Sequence, residues 1–232
     1  MNRNSDTYTF IYASVMVILV AAILATVSMG LKPLQKKNVA VEKKRGILTS
    51  VNIESTSDNA EKLYDEKIVS QYVVNSKGEK VEGDAFTIDL KKENAKPLEQ
   101  RKLPVFECKT EEGIKYILPM RGAGLWGPIW GYVSLNTDMN TIYGANFAHE
   151  GETPGLGAEI ATDWFQKMFE GKKIFDNNGK LVSITVAKAG QEAPVEHKVD
   201  GISGGTITSK GLQNMLEKDF NAYKEFLKKK KS

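Results

Sequence analysis

The chain has 232 residues, enough for one ordinary domain with a real hydrophobic core plus an appendage. Its 32 Lys and Arg against 29 Asp and Glu leave a formal net charge of +3, too balanced to imply nucleic acid as a partner. The single cysteine, Cys108, excludes an intrachain disulfide and a cysteine metal cluster, and its alternating context reads as a half-buried strand.

The N-terminus bears on the compartment. No charged side chain occurs from Thr7 to Leu31, and "FIYASVMVILVAAILATV" (Phe10 to Val27) is almost wholly apolar. A bilayer core needs about 20 such residues in a helix. A cleaved signal peptide would have a shorter apolar region, a more basic start and a small-x-small cleavage site. Residues 1–31 therefore read as a short tail and a retained single transmembrane anchor. Lys32, Lys36, Lys37, Lys43, Lys44 and Arg45 follow the span, against Arg3 and the α-amino group before it. Taken alone, the positive-inside rule puts the bulk of the chain in the cytoplasm.

Residues 32–58 form a charged juxtamembrane segment, and 59–232 read as the folded domain. Leu63, Tyr64, Ile68 and Val69 predict a helix over 59–71 behind a Ser57 or Asp58 cap. "YVVNSKGEKVEG" (Tyr72 to Gly83) predicts a hairpin, Val73-Val74 against Val81 with Lys77-Gly78 at the turn. Lys91 to Lys102 is a charged loop, followed by strands over 105–108, 115–118, 129–135 and 142–147. A helix over 158–169 is expected, with Gly171 as its C-cap glycine. "LVSITVAKAG" (Leu181 to Gly190) reads as the strongest strand. A last helix over 210–229 aligns Leu212, Met215, Leu216, Phe220, Tyr223, Phe226 and Leu227 on one face. Strands and helices do not alternate regularly, so the fold class is α+β.

Three glycine-rich segments carry the chemistry: "MRGAGLWGPIWGYVSL", "FAHEGETPGLGAEI" and "VDGISGGTITSKGLQ". In the last, Ser203, Thr206, Thr208 and Ser209 surround Gly204-Gly205 just before a helix. Glycines let backbone amides approach a ligand, and the unpaired N–H groups of a helix N-terminus favour a phosphate. A plain helix cap by Thr208 or Ser209 explains the same hydroxyls. Asp200 is open between positioning the loop and an Asx turn. His149 and Glu150 do not make a zinc helix, because position 153 is threonine, and Asp176 to Gly179 lacks the full calcium-loop pattern. His197 stands in a charged loop and is expected to be solvated. Core packing and a contact to a ligand or neighbouring subunit are both open for Trp126 and Trp130.

The order Asp200, Ser203, Gly204, Gly205, Thr206 resembles the flavinylation motif of FMN-binding domains, in which FMN is held by a phosphoester to threonine. Gly205 stands where the family usually has alanine. "GLWGPIWGYVSL" and "HEGETPGLGAEI" are similar to segments of the NqrC family, the FMN-binding subunits of the Na+-translocating NADH:quinone reductases. The flavin-carrying counterpart in the related ion-translocating electron-transport complex shares the ETPGLG segment and the threonine motif. The resemblance implies covalent FMN on Thr206, with Thr208 the second choice. It further implies a flavin site drawing on Asp200, Ser203, Gly204, Gly205, Thr208, Glu152, Thr153, Leu156, Gly157 and Trp126. Leu156 and the backbone beside it would lie against the isoalloxazine ring.

The implied role is a redox subunit of a sodium-pumping NADH:ubiquinone oxidoreductase, relaying electrons within the complex. Its implied partners are the other subunits, a flavin transferase for maturation and the membrane. The chain itself has no G-x-G-x-x-G dinucleotide fingerprint after a strand, so neither NADH nor quinone is expected to bind it. The resemblance places the flavin domain on the periplasmic side of the inner membrane, against the charge count, because other subunits fix the topology of a single span. An anchored scaffold without flavin, with the Gly-Gly loop as a plain cap, is the rival from another class.

Overall fold

The computed structural model describes residues 6–188 and 190–231. The first helix, α1, runs from Asp6 to Thr49. Among the described residues it is the one helix long and apolar enough to cross a membrane, with a best-window mean hydropathy of 2.6. The chain divides into two compact units, Met1–Lys43 and Lys44–Ser232.

The second unit is built on a six-stranded antiparallel sheet of β1 (Ile68–Val74), β2 (Lys80–Val81), β3 (Leu103–Thr110), β4 (Gly113–Ala123), β5 (Pro128–Leu135) and β6 (Ile142–His149), in the order β2-β1-β3-β4-β5-β6. Three short helices flank it: α2 (Ala60–Lys67), α3 (Leu90–Asn94) and α4 (Asp163–Lys167). A parallel pair, β7 (Thr185–Ala187) and β8 (Lys198–Asp200), leads into the long helix α5 (Thr206–Lys231). The α+β class expected from the sequence holds.

Both faces of the sheet are covered, which follows from the strand sequences. Along β3, Val105 belongs to one core and Phe106 to the other, and along β4 Leu118 and Ile117 divide in the same way. One core packs Leu212, Met215, Leu216, Phe220, Tyr223 and Leu227 of α5 on the sheet. The other gathers Ile47, Leu48, Val51 and Tyr64 over Phe106, Cys108, Ile117 and Tyr132. Cys108 is wholly buried, and burial pushes its thiol up to about 11. That suits the structural role its strand context suggested.

The expected hairpin forms with Val73 opposite Val81. Gly78 takes φ +74° at its turn, and the Asn75 side chain accepts from the N–H groups of Lys77 and Glu79 at 2.9 and 3.0 Å. Five expectations about the elements need correction. The charged loop at 91–102 holds most of α3 and a 3-10 turn (Leu98–Gln100), because the Asp89 side chain caps α3 by accepting from Lys91 N at 2.9 Å. The helix at 59–71 stops at Lys67, because Ile68 and Val69 are β-branched and Ile68 pairs with Cys108 in the sheet. The helix at 158–169 breaks at Thr162, whose φ −85° and ψ 147° are extended, into a 3-10 turn (Gly157–Ala161) and α4. Gly171 still takes φ +73° close behind it. "LVSITVAKAG" yields only the three residues of β7, since Ser183 turns to φ +61° where it and Val182 both donate to the Ile174 carbonyl. The last helix begins at Thr206 rather than Lys210, which moves Thr206 from the loop onto the helix.

Candidate functional site

Three sequence-distant glycine-rich segments meet at the N-terminus of α5. β8 delivers the chain at Asp200, and the turn Gly201–Gly205 reverses it, with Gly204 at φ +74°. The Gly205 carbonyl accepts from Ser209 N at 2.8 Å, the first α-helical bond of α5, so Thr206 is its first residue. The N–H groups of this first turn lack helical acceptors and point ahead of the helix.

The four hydroxyls of the motif separate cleanly. Ser209 is buried and its Oγ accepts from Ile202 N at 3.0 Å, closing the turn onto the helix. Thr208 is 1% exposed, and its Oγ1 donates to Glu152 Oε2 at 2.5 Å. Ser203 and Thr206 are exposed. Neither Thr208 nor Ser209 caps the helix, because both lie inside its first turns. Asp200 is exposed and pairs with Lys198 Nζ at 3.3 Å, and it forms no Asx turn among the described residues.

Glu152 ties the three segments together. It is 5% exposed, neither solvated nor facing open space. Besides Thr208, it accepts from Trp126 N through Oε1 at 2.9 Å, while its own N–H donates to His149 Nδ1 at 3.2 Å. Burial pushes the Glu152 carboxyl up, but the Thr208 hydroxyl and the N–H groups of Trp126, Leu125 and Gly127 outweigh it and hold it below the ordinary carboxylate range. Glycine is required around it. A Cβ at Gly157 would stand 2.2 Å from Glu152 Oε2, and one at Gly124 would stand 2.4 Å from Oε1. This clamp was not legible in the sequence, where Glu152 stood only among the residues of the implied flavin site.

The surface around the clamp is apolar and open. Leu156 is 41% exposed and lies over the turn, since a Cβ at Gly204 would meet its Cδ2 at 2.5 Å. Trp126 is 69% exposed and so is not a core residue, whereas Trp130 is half-buried. Thr153 is exposed, and its carbonyl accepts from the N–H groups of Leu156 and Ala158, both at 3.1 Å, which shapes the loop. Glu159, not singled out in the sequence, braces that loop from Gly155 N at 3.0 Å to Trp164 Nε1 at 3.4 Å. Beside Thr206 a pocket of about 850 Å³ opens between β7, the 200–204 turn and α5, with Lys188, Ser203 and Lys210 in its walls. His197 lies apart from all this and corrects the expectation of a solvated side chain: it is 8% exposed and its Nδ1 donates to the Lys173 carbonyl at 2.5 Å.

Residues 124–220, from the glycine beside Trp126 to the middle of α5, match the FMN-binding domain model. The chain is 34% identical over 212 residues to the NqrC protein of the Na+-translocating NADH-quinone reductase of Vibrio vulnificus, covering 84% of this chain and 83% of that protein. It is 33% identical to the corresponding protein of Neisseria meningitidis serogroup B, covering 100% of this chain and 96% of that one. The crystal structure of the Parabacteroides distasonis counterpart superposes with a TM-score of 0.80 at 48% identity, over 85% of this chain and 96% of that one. NqrC of Shewanella oneidensis shares the fold, with a TM-score of 0.70 at 24% identity over 83% and 97% of the two chains. An FMN-binding domain, an apolar N-terminal helix and full-length likeness thus converge: the chain belongs to the NqrC family of the Na+-translocating NADH-quinone reductases.

Proposed function

We propose that this chain is the flavin-carrying electron-relay subunit of its complex, with FMN esterified through its phosphate to Thr206. The observation that carries the reading is the separation of the hydroxyls. Thr208 and Ser209 are buried and bonded, which leaves Ser203 and Thr206 exposed beside the pocket, and of these two Thr206 is the first residue of α5 and stands at the acceptor position of the motif the loop resembles. The residues fit the group. A phosphate on Thr206 meets the unpaired N–H groups and positive dipole end of α5. The exposed side chains of Leu156 and Trp126 offer apolar surface that a flat ring system would cover.

Bound FMN supplies one- and two-electron transfer; the protein's part is placement and tuning. Thr206 fixes the phosphate end, and Leu156 and Trp126 shield the ring from water. Glu152 and Gly157 hold both walls in register with α5, and Asp200, Ser203, Gly204 and Gly205 shape the turn that presents Thr206. In this reading residues 1–31 anchor the chain in the inner membrane and the compact unit that begins at Lys44 holds the flavin on the periplasmic side; the juxtamembrane stretch expected at 32–58 is a link only up to Lys43, since Ile47, Leu48 and Val51 are core residues of that unit. A flavin transferase loads it, and the remaining subunits of the NADH:ubiquinone oxidoreductase exchange electrons with it. Full-length likeness to NqrC proteins, including the anchor, favours this over the flavin-carrying counterpart in the related electron-transport complex.

The test is co-expression with a flavin transferase, a denaturing gel under ultraviolet light, and peptide mapping by mass spectrometry. Wild type and Thr208→Ser are expected to fluoresce and Thr206→Ala to be dark. Flavin mapped to any other residue sinks the attachment at Thr206, and a dark wild type sinks it and revives the flavin-free scaffold. Asn178→Cys, exposed where the native Cys108 is buried, labelled from outside intact cells with a membrane-impermeant reagent and compared with wild type, decides the side of the membrane.

A further inference from the structure

We infer that Lys210 is the side-chain cation that holds the phosphate at Thr206; the inference rests on the attachment reading above. Thr206, Lys210 and Gln213 are spaced i, i+4 and i+7 along α5, which puts them on one stripe of the helix. All three line the pocket of about 850 Å³. Gln213 fixes the direction of the stripe, because its Oε1 accepts from Val186 N of β7 at 3.2 Å. Lys210 therefore stands one turn beyond Thr206 on the pocket side of the helix.

The charges around it ask for an anion. Lys210 is exposed, and among the described residues it has no ion-pair partner. Asp200 lines the same pocket, but its carboxylate is paired with Lys198 at 3.3 Å. Lys188 stands on the facing wall, so the pocket carries two lysines against one acid that is already engaged. A phosphodiester on Thr206 keeps one negative charge at neutral pH and sits one turn away. The helix amides bind its oxygens from ahead, and Lys210 binds from the flank.

Attachment forms a bond from Thr206 Oγ1 to phosphorus and breaks the pyrophosphate bond of a flavin dinucleotide donor. The nucleoside monophosphate leaves with the bridging oxygen, and the hydroxyl proton passes to solvent. Lys210 balances the charge on the phosphoryl oxygens through this exchange and afterwards. The test follows the initial rate of flavin attachment to the detergent-solubilised full chain, with transferase and a flavin dinucleotide, in low salt and in about 0.5 M salt. Lys210→Gln is expected to slow attachment about two- to five-fold in low salt, the scale of a solvent-exposed ion pair. Lys210→Arg should stay near wild type, and high salt should close the gap. A Lys210→Gln rate equal to wild type in low salt overturns the inference. So does an equal loss at both salt levels without rescue by arginine, which marks a structural effect. A wild type that takes no flavin on Thr206 instead sinks the reading beneath it, and the wild-type arm shows this separately.

Discussion

Replacing Glu152 tests the site most directly, because one buried carboxylate joins three segments. Glu152→Ala leaves the Thr208 hydroxyl and the Trp126 N–H without their acceptor at a place 5% open to solvent. Each orphaned group costs about 1–3 kcal/mol, so the loss for the two should be roughly 2–6 kcal/mol. Glu152→Gln is subtler. Its oxygen must face the Trp126 N–H, which leaves the amide NH2 toward Thr208 Oγ1, and that hydroxyl then accepts. The geometry survives with neutral bonds, at a cost of about 1–2 kcal/mol. The pH dependence separates charge from shape. The folded carboxyl is held low, so its stabilisation is present above the unfolded value of about 4.3 and is lost as pH falls through the folded one. Urea unfolding of the detergent-solubilised chain should therefore show the gap between wild type and Glu152→Gln at pH 7 and its closure in strong acid. A gap unchanged down to pH 3, or a Glu152→Ala cost below about 1 kcal/mol, would refute the clamp.

Gly157→Ala should cost about 2–4 kcal/mol, since its Cβ would stand 2.2 Å from Glu152 Oε2 and 2.5 Å from Thr208 Oγ1; attachment at Thr206 should fall with it on the fluorescent gel. Asp219 behaves oppositely to Glu152. Burial pushes its carboxyl up to about 7, against the opposing pull of the Arg121 N–H at 2.9 Å and of Lys218 and Arg101. Its ionisation therefore costs stability as pH rises from about 3.9 through about 7, and Asp219→Asn should gain up to ~4 kcal/mol at pH 8 and nothing near pH 4. Thermal unfolding at the two pH values measures the difference. Phe220→Ala, wholly buried between α5 and the sheet, should cost about 3–5 kcal/mol in the same urea assay.

The strands and α5 were legible because their side chains alternate or recur between two well-filled cores, as Val105 with Phe106 and Leu212 with Phe220 do. What the sequence concealed were competitions decided by tertiary contacts. Ile68 and Val69 fit a helical stripe as well as a strand, and the pairing of Ile68 with Cys108 settles it. Leu181 to Ile184 is rich in apolar residues, yet Ser183 at φ +61° turns the segment so that two N–H groups share the Ile174 carbonyl. At the site, Thr206 and the glycine turn stand out locally. Glu152 does not, since nothing in "HEGETPGLG" says that its carboxylate closes on a threonine 56 residues away. The one available signal is the density of glycines at 124, 157, 204 and 205, each marking a place where a side chain would collide.

That density also bears on how the proposed relay site would keep its distances. Electron exchange between cofactors depends steeply on separation, so under the proposed attachment the residue that carries the flavin must not wander. Thr206 is the first residue of a helix whose far turns are bolted into the core by Phe220 and Tyr223, the latter donating to the Pro104 carbonyl at 2.7 Å. Near Thr206, the Gly211 position is pressed to 2.2 Å from the Ala123 carbonyl, measured from where a Cβ would lie, so α5 lies directly on the end of β4. β4 runs on into Gly124 and Trp126, whose N–H Glu152 holds, and Glu152 holds Thr208 in turn. The loop is closed: helix, strand end, tryptophan loop and threonine constrain one another through short contacts. Flexible glycines here produce a stiff site, because each is spent on close approach rather than on freedom, and the exposed Thr206 hydroxyl inherits that stiffness from its neighbours.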